Sequence, residues 1–541
     1  MPSNQPTTLY LGGSVHSAVD PFATALLVDG ATVAWVGSDE AAAVHAEHAG
    51  AVVHLDGALL APAFVDAHVH TTETGLLLTG IDLTGSPSLR AALDAVAATA
   101  AAAPGDPVLG HGWDDRLWPE GRPPTRAELD RAGGGAEVYL ARTDVHSAVV
   151  SSSLASRAGL SVLAGWSDDG RVERDAHHAA RDVTRSLDDD HRRAVQLRAL
   201  RVAAAAGVAS LHECSGPHVA SPGDLTSLLA LAADDLPEVV AYWGELATDA
   251  DHARAIVEGL GAPVLGLAGD LCADGSVGSR TSAFREPYAD NAAARLDPDF
   301  SGHLYLDAEQ VRDHVVACTL TGLQAGFHVI GDRAVDAVLA GVAAAATRVG
   351  LDAVIAARHR LEHVEHVDAA AVSELARLGL TASVQPVFDA LWGGTSGMYA
   401  ERLGTTRGAR LNPFGAMAAA GVPLALGSDT PVTPFDPWSA VRACVFHQDG
   451  AQRLSAQVAF AAHTRGGWRA ARRDGEGVLA PGAPATFAVW ATAGPGLPDL
   501  TPGIPTPTCL RTVREGAELY DSRDLAAHGG THDPEHHEVP A

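Results

Sequence analysis

The sequence predicts an α/β protein: a TIM-like (β/α)8 barrel, a small β-sandwich built from both chain ends, and a large insertion after the first barrel strand. Three observations lead there. Short apolar segments alternate with helical ones, the pattern of a parallel α/β sheet, and eight of them can be counted, the number a closed barrel takes. Polar residues gather at the C-terminal ends of those segments, where barrels carry their chemistry. The first 60 residues and the stretch 478–520 share a texture of short strands broken by Gly and Asp turns. Length alone suggests roughly three to four domains. A barrel of about 250 residues or more reduces that to one or two.

In chain order, LYLGGSVHS, ATALLVDG, ATVAWVGS and AVVHLDG read as strands ending in turn signals. Residues 1–60 and 475–541 are therefore expected to form one composite sandwich. The barrel is expected over 61–474. Its strands are APAFVDAHVH (61–70), VASLHEC (208–214), EVVAYW (238–243), VLGLAGDLC (264–272), AGFHVIG (325–331), HRLEHV (359–364), LTASVQP (380–386) and PLALGSD (423–429). The count sets aside 75–200 as an inserted subdomain covering the barrel mouth. That insertion has helical pieces at 88–103, 125–132 and 176–206, and strand-like pieces PVLGHGW and EVYLARTDVH. The histidine-rich tail HGGTHDPEHHEVP reads as a frayed end rather than a metal site.

Composition narrows the function. With 47% hydrophobic and 19% charged residues, a folded core is expected rather than disorder. A net charge of −29 repels phosphate backbones and anionic lipid, so neither nucleic acid nor a membrane surface is an expected partner. No run of 18 apolar residues occurs, and MPSNQPTTLY lacks a basic and an apolar leader region; a cytoplasmic protein is expected. Five scattered cysteines fit a reducing compartment. All 37 basic residues are arginine, so no mechanism here uses a lysine.

The strand ends hold the chemistry. His68 and His70 stand two apart on the first strand, so both imidazoles face one point. Two such ligands suit a borderline metal such as Zn²⁺. His328 lies on strand five, Glu362-His363 ends strand six, Asp429 ends strand eight, and Asp270 ends strand four. Taken singly, an HxH pair is usually incidental, a buried histidine usually structural, and a Ser-Asp at a strand end usually a helix cap. Their fall on one rim is what argues for a metal site.

AFVDAHVH resembles the PGFVDxHxH signature of the amidohydrolase superfamily. LCADGSVGSRTSAFREPY, GFHVIGDRAVD, RHRLEHVEHV, ASVQP and ALGSDTPVTPFDPW follow in that family's order. So do GHGWDDRLWPEGRPPTRAELD and RTDVHSAVVSS in the insertion, and GVLAPGAPATFAVW near the end. The set resembles the branch that contains N-substituted formamide deformylases and D-aminoacylase-like enzymes, and more closely the former. The resemblance implies a metal-dependent hydrolase of C–N, sometimes C–O, bonds. It further implies that His68, His70, His328, His363 and Asp429 form the metal site, Asp429 doubling as proton acceptor. Such proteins commonly carry a carboxylated lysine at the end of strand four, bridging two metals. Here that position is Asp270, followed by Asp274-Gly275, and a carboxylated lysine is excluded. Asp270 can bind a metal directly, bind through water, or draw the backbone closer. Glu213 on strand two is a longer carboxylate that can compensate, and Cys272 is a soft alternative. One tightly held metal is favoured over two.

The expected reaction is cleavage of a small amide, N-formyl compound or relative by activated water, with Asp429 taking and returning the proton. His146 is a candidate hydrogen-bond donor to substrate, Trp113 and Asp114 a candidate pocket wall and anchor, and Arg280 a candidate carboxylate holder. Asp332 reads as a helix cap or a support for a ligand histidine. Gln385 and Asp436 read as rim residues. Trp113, Trp118 and Trp166 hint at an aromatic or apolar substrate group. The alternatives are a non-catalytic binding or scaffold barrel, suggested by Asp270, and an isomerase or deaminase using the same metal site. A homodimer is expected by analogy with barrel enzymes.

Overall fold

The structure, a computed structural model, describes residues 7–523 apart from 185–186, 218, 232–234 and 295. The histidine-rich tail lies outside the described residues. At the centre is a ring of eight parallel strands: β1 (Phe64–Val69), β2 (Val208–Ser215), β3 (Glu238–Trp243), β4 (Gly266–Leu267), β5 (Gln324–Val329), β6 (Arg360–His363), β7 (Thr381–Val384) and β8 (Leu424–Leu426). Each pairs with its sequence neighbour. A parallel bridge between Val69 and Thr430 brings the first strand to the segment after the last, nearly closing the ring. The predicted barrel is the observed one. In β1, β2, β5, β6, β7 and β8 every residue is buried. Helices cover one face of such a sheet and the packed interior fills the other, so barrel strands read as apolar runs, without alternation.

Strand four is shorter than the sequence suggests. Gly269 takes φ +85° and ends it, because a Cβ there would press on Cys214 at 2.9 Å. Asp270 consequently leaves the strand and turns over the mouth. The outer helices follow their apolar spacing. Helix Asp332–Val349 buries Ala334, Val335, Val338, Leu339, Gly341, Val342 and Ala345 along one stripe. At Gly341 it crosses helix Ala308–Thr321 so closely that a Cβ would meet Val311 at 2.5 Å. Asp307 begins that second helix with a capping box to Gln310.

Between β1 and β2 the chain builds a five-stranded sheet, ordered Arg171–Glu173, Ser147–Val150, Val138–Arg142, Val108–Trp113 and Ile81–Asp82. Helices Leu89–Ala102 and Arg126–Ala132 pack on it. The run 176–206, read from sequence as one helical stretch, is two helices, Arg174–Thr184 and Asp189–Ala205. Asp188 caps the second, accepting from the His191 N–H, and Asp189 and Asp190 suit its positive N-terminus.

The chain ends supply two more sheets. Residues Thr32–Gly37, Ala25–Asp29, Thr8–Leu11 and Ala51–His54 form one; Ser14–Val15, Leu59–Pro62, Phe487–Ala491, Thr508–Arg514 and Ala517–Asp521 form the other. Tyr10, Leu26, Leu60, Phe487 and Val513 fill the core between them. Strand Leu59–Pro62 runs into β1 with only Ala63 between. Trp490 from the C-terminal part packs edge-on against Phe64 of β1 at 5.6 Å. No single helix is long and apolar enough to cross a membrane among the described residues.

Candidate metal centre

The C-terminal end of β1 delivers His68 and His70 to the mouth, both buried. Asp66 holds that end in place: its Oδ1 accepts the N–H of His68 at 3.3 Å and of Ser428 at 2.9 Å, joining β1 to the turn after β8. Burial pushes the Asp66 carboxyl up to about 6. In that turn Asp429 takes φ +56° and donates its N–H to the His68 carbonyl at 2.9 Å. Its carboxylate Oδ1 then lies 3.1 Å from His70 Nε2 and 3.4 Å from His68 Nε2. Asp270 comes from across the mouth, with Oδ1 3.4 Å from His68 Nε2 and Oδ2 3.4 Å from His70 Nε2. The His363 ring is 5.1 Å from that of His68 and 4.4 Å from that of His328.

Three groups of potential ligands share His68, one of them, with Cys214 and Glu362, lying below the mouth and two at it. Donor atoms of His68, His363 and Asp429 lie within 4.8 Å of one another, as do those of His68, His70 and Asp270. His328 completes the cluster from β5. The unsatisfied atoms test whether this set fits a metal. His68 Nε2, His70 Nδ1, Asp270 Oδ1, both nitrogens of His328 and Nδ1 of His363 are buried without a hydrogen-bond partner. Buried polar atoms normally find partners, so five residues with open donor atoms at one barrel mouth make a set that fits a cation, and imidazole with carboxylate suits a divalent transition metal. Burial lowers His328 to about 4 and His363 well below its ordinary range, which keeps both imidazoles in the neutral, ligating form. Burial opposes ionisation of Asp270, but the His70 and His68 imidazoles outweigh it and hold the carboxyl well below the usual range.

The sequence-level candidates therefore divide. His68, His70, Asp270, His328, His363 and Asp429 come together. Glu213 is occupied elsewhere: Oε2 accepts from the Thr71 N–H at 2.8 Å and Oε1 from the Ser215 hydroxyl at 2.7 Å. Cys272 is in none of the ligand groups among the described residues, and its thiol is turned back to the Asp270 carbonyl at 3.6 Å. Asp332 is the first residue of its helix, not its cap, and accepts the Arg285 N–H at 2.8 Å. Asp436 caps helix Pro437–Val445. Gln385 ends β7 with both side-chain atoms buried and unpartnered.

Beneath the cluster is a charged layer that the motif reading passed over. Glu362 Oε2 accepts from His68 Nδ1 at 2.9 Å, which leaves the Nε2 lone pair facing the mouth. Arg360 grips Glu362 through Nε at 2.5 Å and Nη2 at 2.9 Å, and also reaches His212, Ser383 and the Ala67 carbonyl. Tyr242 lies under its guanidinium at 4.5 Å. The Arg360 guanidinium and the His68 contact overcome burial and hold Glu362 at about 2. The signal was present: alternate residues of a strand, Arg360 and Glu362, are charged inside a core segment, and such residues occur there only when paired.

Above the cluster is a narrow cleft with a free volume of about 30 Å³. His328, His363 and Asp429 form one end. His146 faces them from the insertion, its ring 5.3 Å from His328. Asp144 fixes that loop by accepting from Arg142 at 3.0 Å and from the Ser276 and Ser279 hydroxyls at 3.1 and 2.9 Å. The other walls are Ile330, Val432, Phe388, Trp392, Met398 and Tyr399, with Glu365 among them. Burial, helped by Asp274 and Asp429, pushes Glu365 up to about 8.

Trp113, Asp114 and Arg280 do not line this cleft. Trp113 donates to the Leu140 carbonyl at 2.9 Å and packs with Trp118 in the insertion's own core. Asp114 is taken by Arg116 and Arg142. Arg280 is bound through both ends by Asp290, at 3.1 and 2.6 Å. Trp166 lies with Arg126. The aromatic lining comes instead from the segment after β7, whose tryptophan and tyrosine carried no motif to mark them.

The chain is similar to known proteins. A sequence model of the amidohydrolase family matches residues 51–520. Protein LONG AFTER FAR-RED 3 of Arabidopsis thaliana is 27% identical over 480 residues, covering 81% of this chain and 79% of that protein. The putative amidohydrolase YtcJ of Bacillus subtilis is 26% identical over 428 residues, covering 73% of this chain and 75% of that protein. The crystal structure of an uncharacterized metal-dependent hydrolase from Pyrococcus furiosus superposes with a TM-score of 0.68 at 25% identity, covering 89% of this chain and 98% of that one. With a barrel mouth of open imidazole and carboxylate donors, and a family match that runs through sandwich, barrel and insertion alike, the chain belongs to the amidohydrolase family and is a metal-dependent hydrolase.

Proposed function

We propose that the protein hydrolyses a C–N bond of a small molecule, an amide or N-formyl compound, and that the cluster His68, His70, Asp270, His328, His363 and Asp429 is its metal site, with zinc the expected ion. The branch whose motifs it most resembles, the N-substituted formamide deformylases, supports the substrate class. The observation that carries the reading is the place of Asp429: its carboxylate stands both among the open imidazole nitrogens and on the wall of the cleft.

When bound, a divalent cation supplies Lewis acidity and makes water nucleophilic near neutral pH. The chain supplies the rest. Asp429 accepts the proton of the attacking water and delivers it to the departing nitrogen, without which an amine leaves poorly. His146, facing the cluster across the cleft, donates to the carbonyl oxygen as it gains charge. Glu362 and Arg360 hold His68 in the tautomer and direction that ligation needs. Phe388, Trp392 and Val432 exclude water from the reacting bond.

The test has two readings. Metal content of protein purified without chelator should be one to two equivalents, and Asp429→Asn should keep most of it while turnover on a panel of amides and formamides falls by about 10²–10⁴-fold. Full turnover in Asp429→Asn removes the proton-transfer role. Ammonia or an isomer as product turns the reaction to deamination or isomerisation, which would use the same groups.

A further inference from the structure

We infer that the inner wall of the cleft is a binding subsite for an apolar or aromatic substrate group bearing an amino substituent, recognised by the carboxyl of Glu365. The inference rests on the hydrolase reading above and names the substrate class it serves.

Glu365 is 3% exposed, and its Oε2 has no hydrogen-bond partner. Tyr399 stands on the same wall, and its hydroxyl interacts with the Glu365 carboxyl. Oε2 is thus a buried carboxyl oxygen without a donor at hydrogen-bond distance, an arrangement that costs stability. The backbone is nevertheless shaped to put it there. His363 and Val364 take φ +70° and +50°, and a β-branched residue in the left-handed region is a costly choice. The turn is held by the Val364 N–H to the Val329 carbonyl at 2.9 Å, by the His366 N–H to Ile330 at 3.0 Å, and by the Asn412 N–H to the Glu365 carbonyl at 2.7 Å.

Among the described residues no arginine answers it. No arginine lines the cleft, the nearby Arg280 and Arg402 are bound to Asp290, Arg142 is bound to Asp144, and the sequence holds no lysine. The other carboxylates near it are Asp429 and Asp144 on the cleft and Asp274 and Asp389 behind the wall. The walls beside Glu365 are rings: Phe388 and Trp392 with centroids 4.7 Å apart, and Tyr399 next to Trp392 at 6.3 Å. Phe388 also stacks with His363 at 6.2 Å and 10°, so the wall is continuous from the metal cluster to Glu365. A planar body laid along Phe388 and Trp392 has its reacting end at Asp429 and its far end at Glu365. An ammonium there meets the Glu365 carboxyl and ring faces together.

The experiment measures binding of benzylamine and benzyl alcohol by calorimetry or ligand-observed NMR to zinc-loaded wild type and Glu365→Gln. Benzylamine, protonated at pH 7, should bind wild type at least tenfold more tightly than the alcohol, and Glu365→Gln should abolish that preference while changing alcohol binding less than twofold. A wild type that binds the alcohol as well as the amine, or binds neither, overturns the inference, as does an amine preference that survives in Glu365→Gln. Should Glu365→Gln fail to fold, the wild-type ranking decides alone. Turnover of the amide panel is read separately. Amine preference without turnover removes the hydrolase reading and leaves the subsite; turnover without the preference does the reverse.

Discussion

His68 depends on a carboxylate it does not share with the cleft. Glu362 is fully buried, bonded to His68 Nδ1 on one side and to Arg360 on the other. Outer partners of metal-ligating histidines fix the tautomer and raise ligand basicity, and their loss typically costs 10–100-fold in metal affinity. Glu362→Gln should therefore weaken zinc binding by about 10–100-fold, measured by competition with a chromophoric chelator. Unchanged affinity would reduce Glu362 to a partner of Arg360 alone. The pair was readable as inward-facing charges in RLEH. Its direction was not, because periodicity says which face a residue shares and not what meets it there.

At the scale of elements, the site is made by strand ends that turn sharply. Asp429, His363 and Val364 all sit in the left-handed region, and Gly269 ends β4 so that Asp270 can fold inward. Strained residues of this kind gather where function fixes geometry. Gly427, in the turn after β8, is different: its φ is ordinary, but a Cβ would lie 2.6 Å from the His68 backbone nitrogen and 3.0 Å from Asp66 Oδ1. Neither group can move without moving a ligand. Gly427→Ala should cost about 1–3 kcal/mol and reduce metal content as well, seen as a lower denaturation midpoint and substoichiometric zinc by elemental mass spectrometry. Full metal content in a destabilised protein would separate the turn from the site. The insertion shows the same logic: Asp144 and its serine partners, not helix packing, bring His146 to the mouth.

Across the whole molecule, the chain ends brace the strand that carries the first two ligands. Trp490, from the C-terminal sheet, meets Phe64 of β1 and Trp438 of the last outer layer, with centroids 5.6 and 5.5 Å away, and Gly207 leaves room beneath it. Phe64 is four residues before His68 on one strand. Trp490→Ala should cost about 3–5 kcal/mol, the range for removing a large buried ring, and metal should be lost in the same denaturant transition as secondary structure. Metal loss well before that transition would show that the base and mouth of the barrel are uncoupled.

The sequence by itself determined the ring of eight strands, the histidines and aspartates that meet at its mouth, and the absence of any lysine to bridge metals. Apolar runs and strand-end histidines survive in one dimension because a strand's period is two and a barrel gathers all its C-terminal ends on one side. What only the tertiary structure decided was which polar residues outside the strands face that side. Trp113, Asp114 and Arg280 stand in motif-like loops but find partners in Leu140, Arg116 and Asp290. Phe388, Trp392 and Tyr399, in segments without a marked motif, enclose the cleft with Glu365, which sits inside RHRLEHVEHV but was not singled out there. The reason is physical: a loop residue's direction is set by turn geometry and by distant partners, neither of which leaves a periodic trace in the chain.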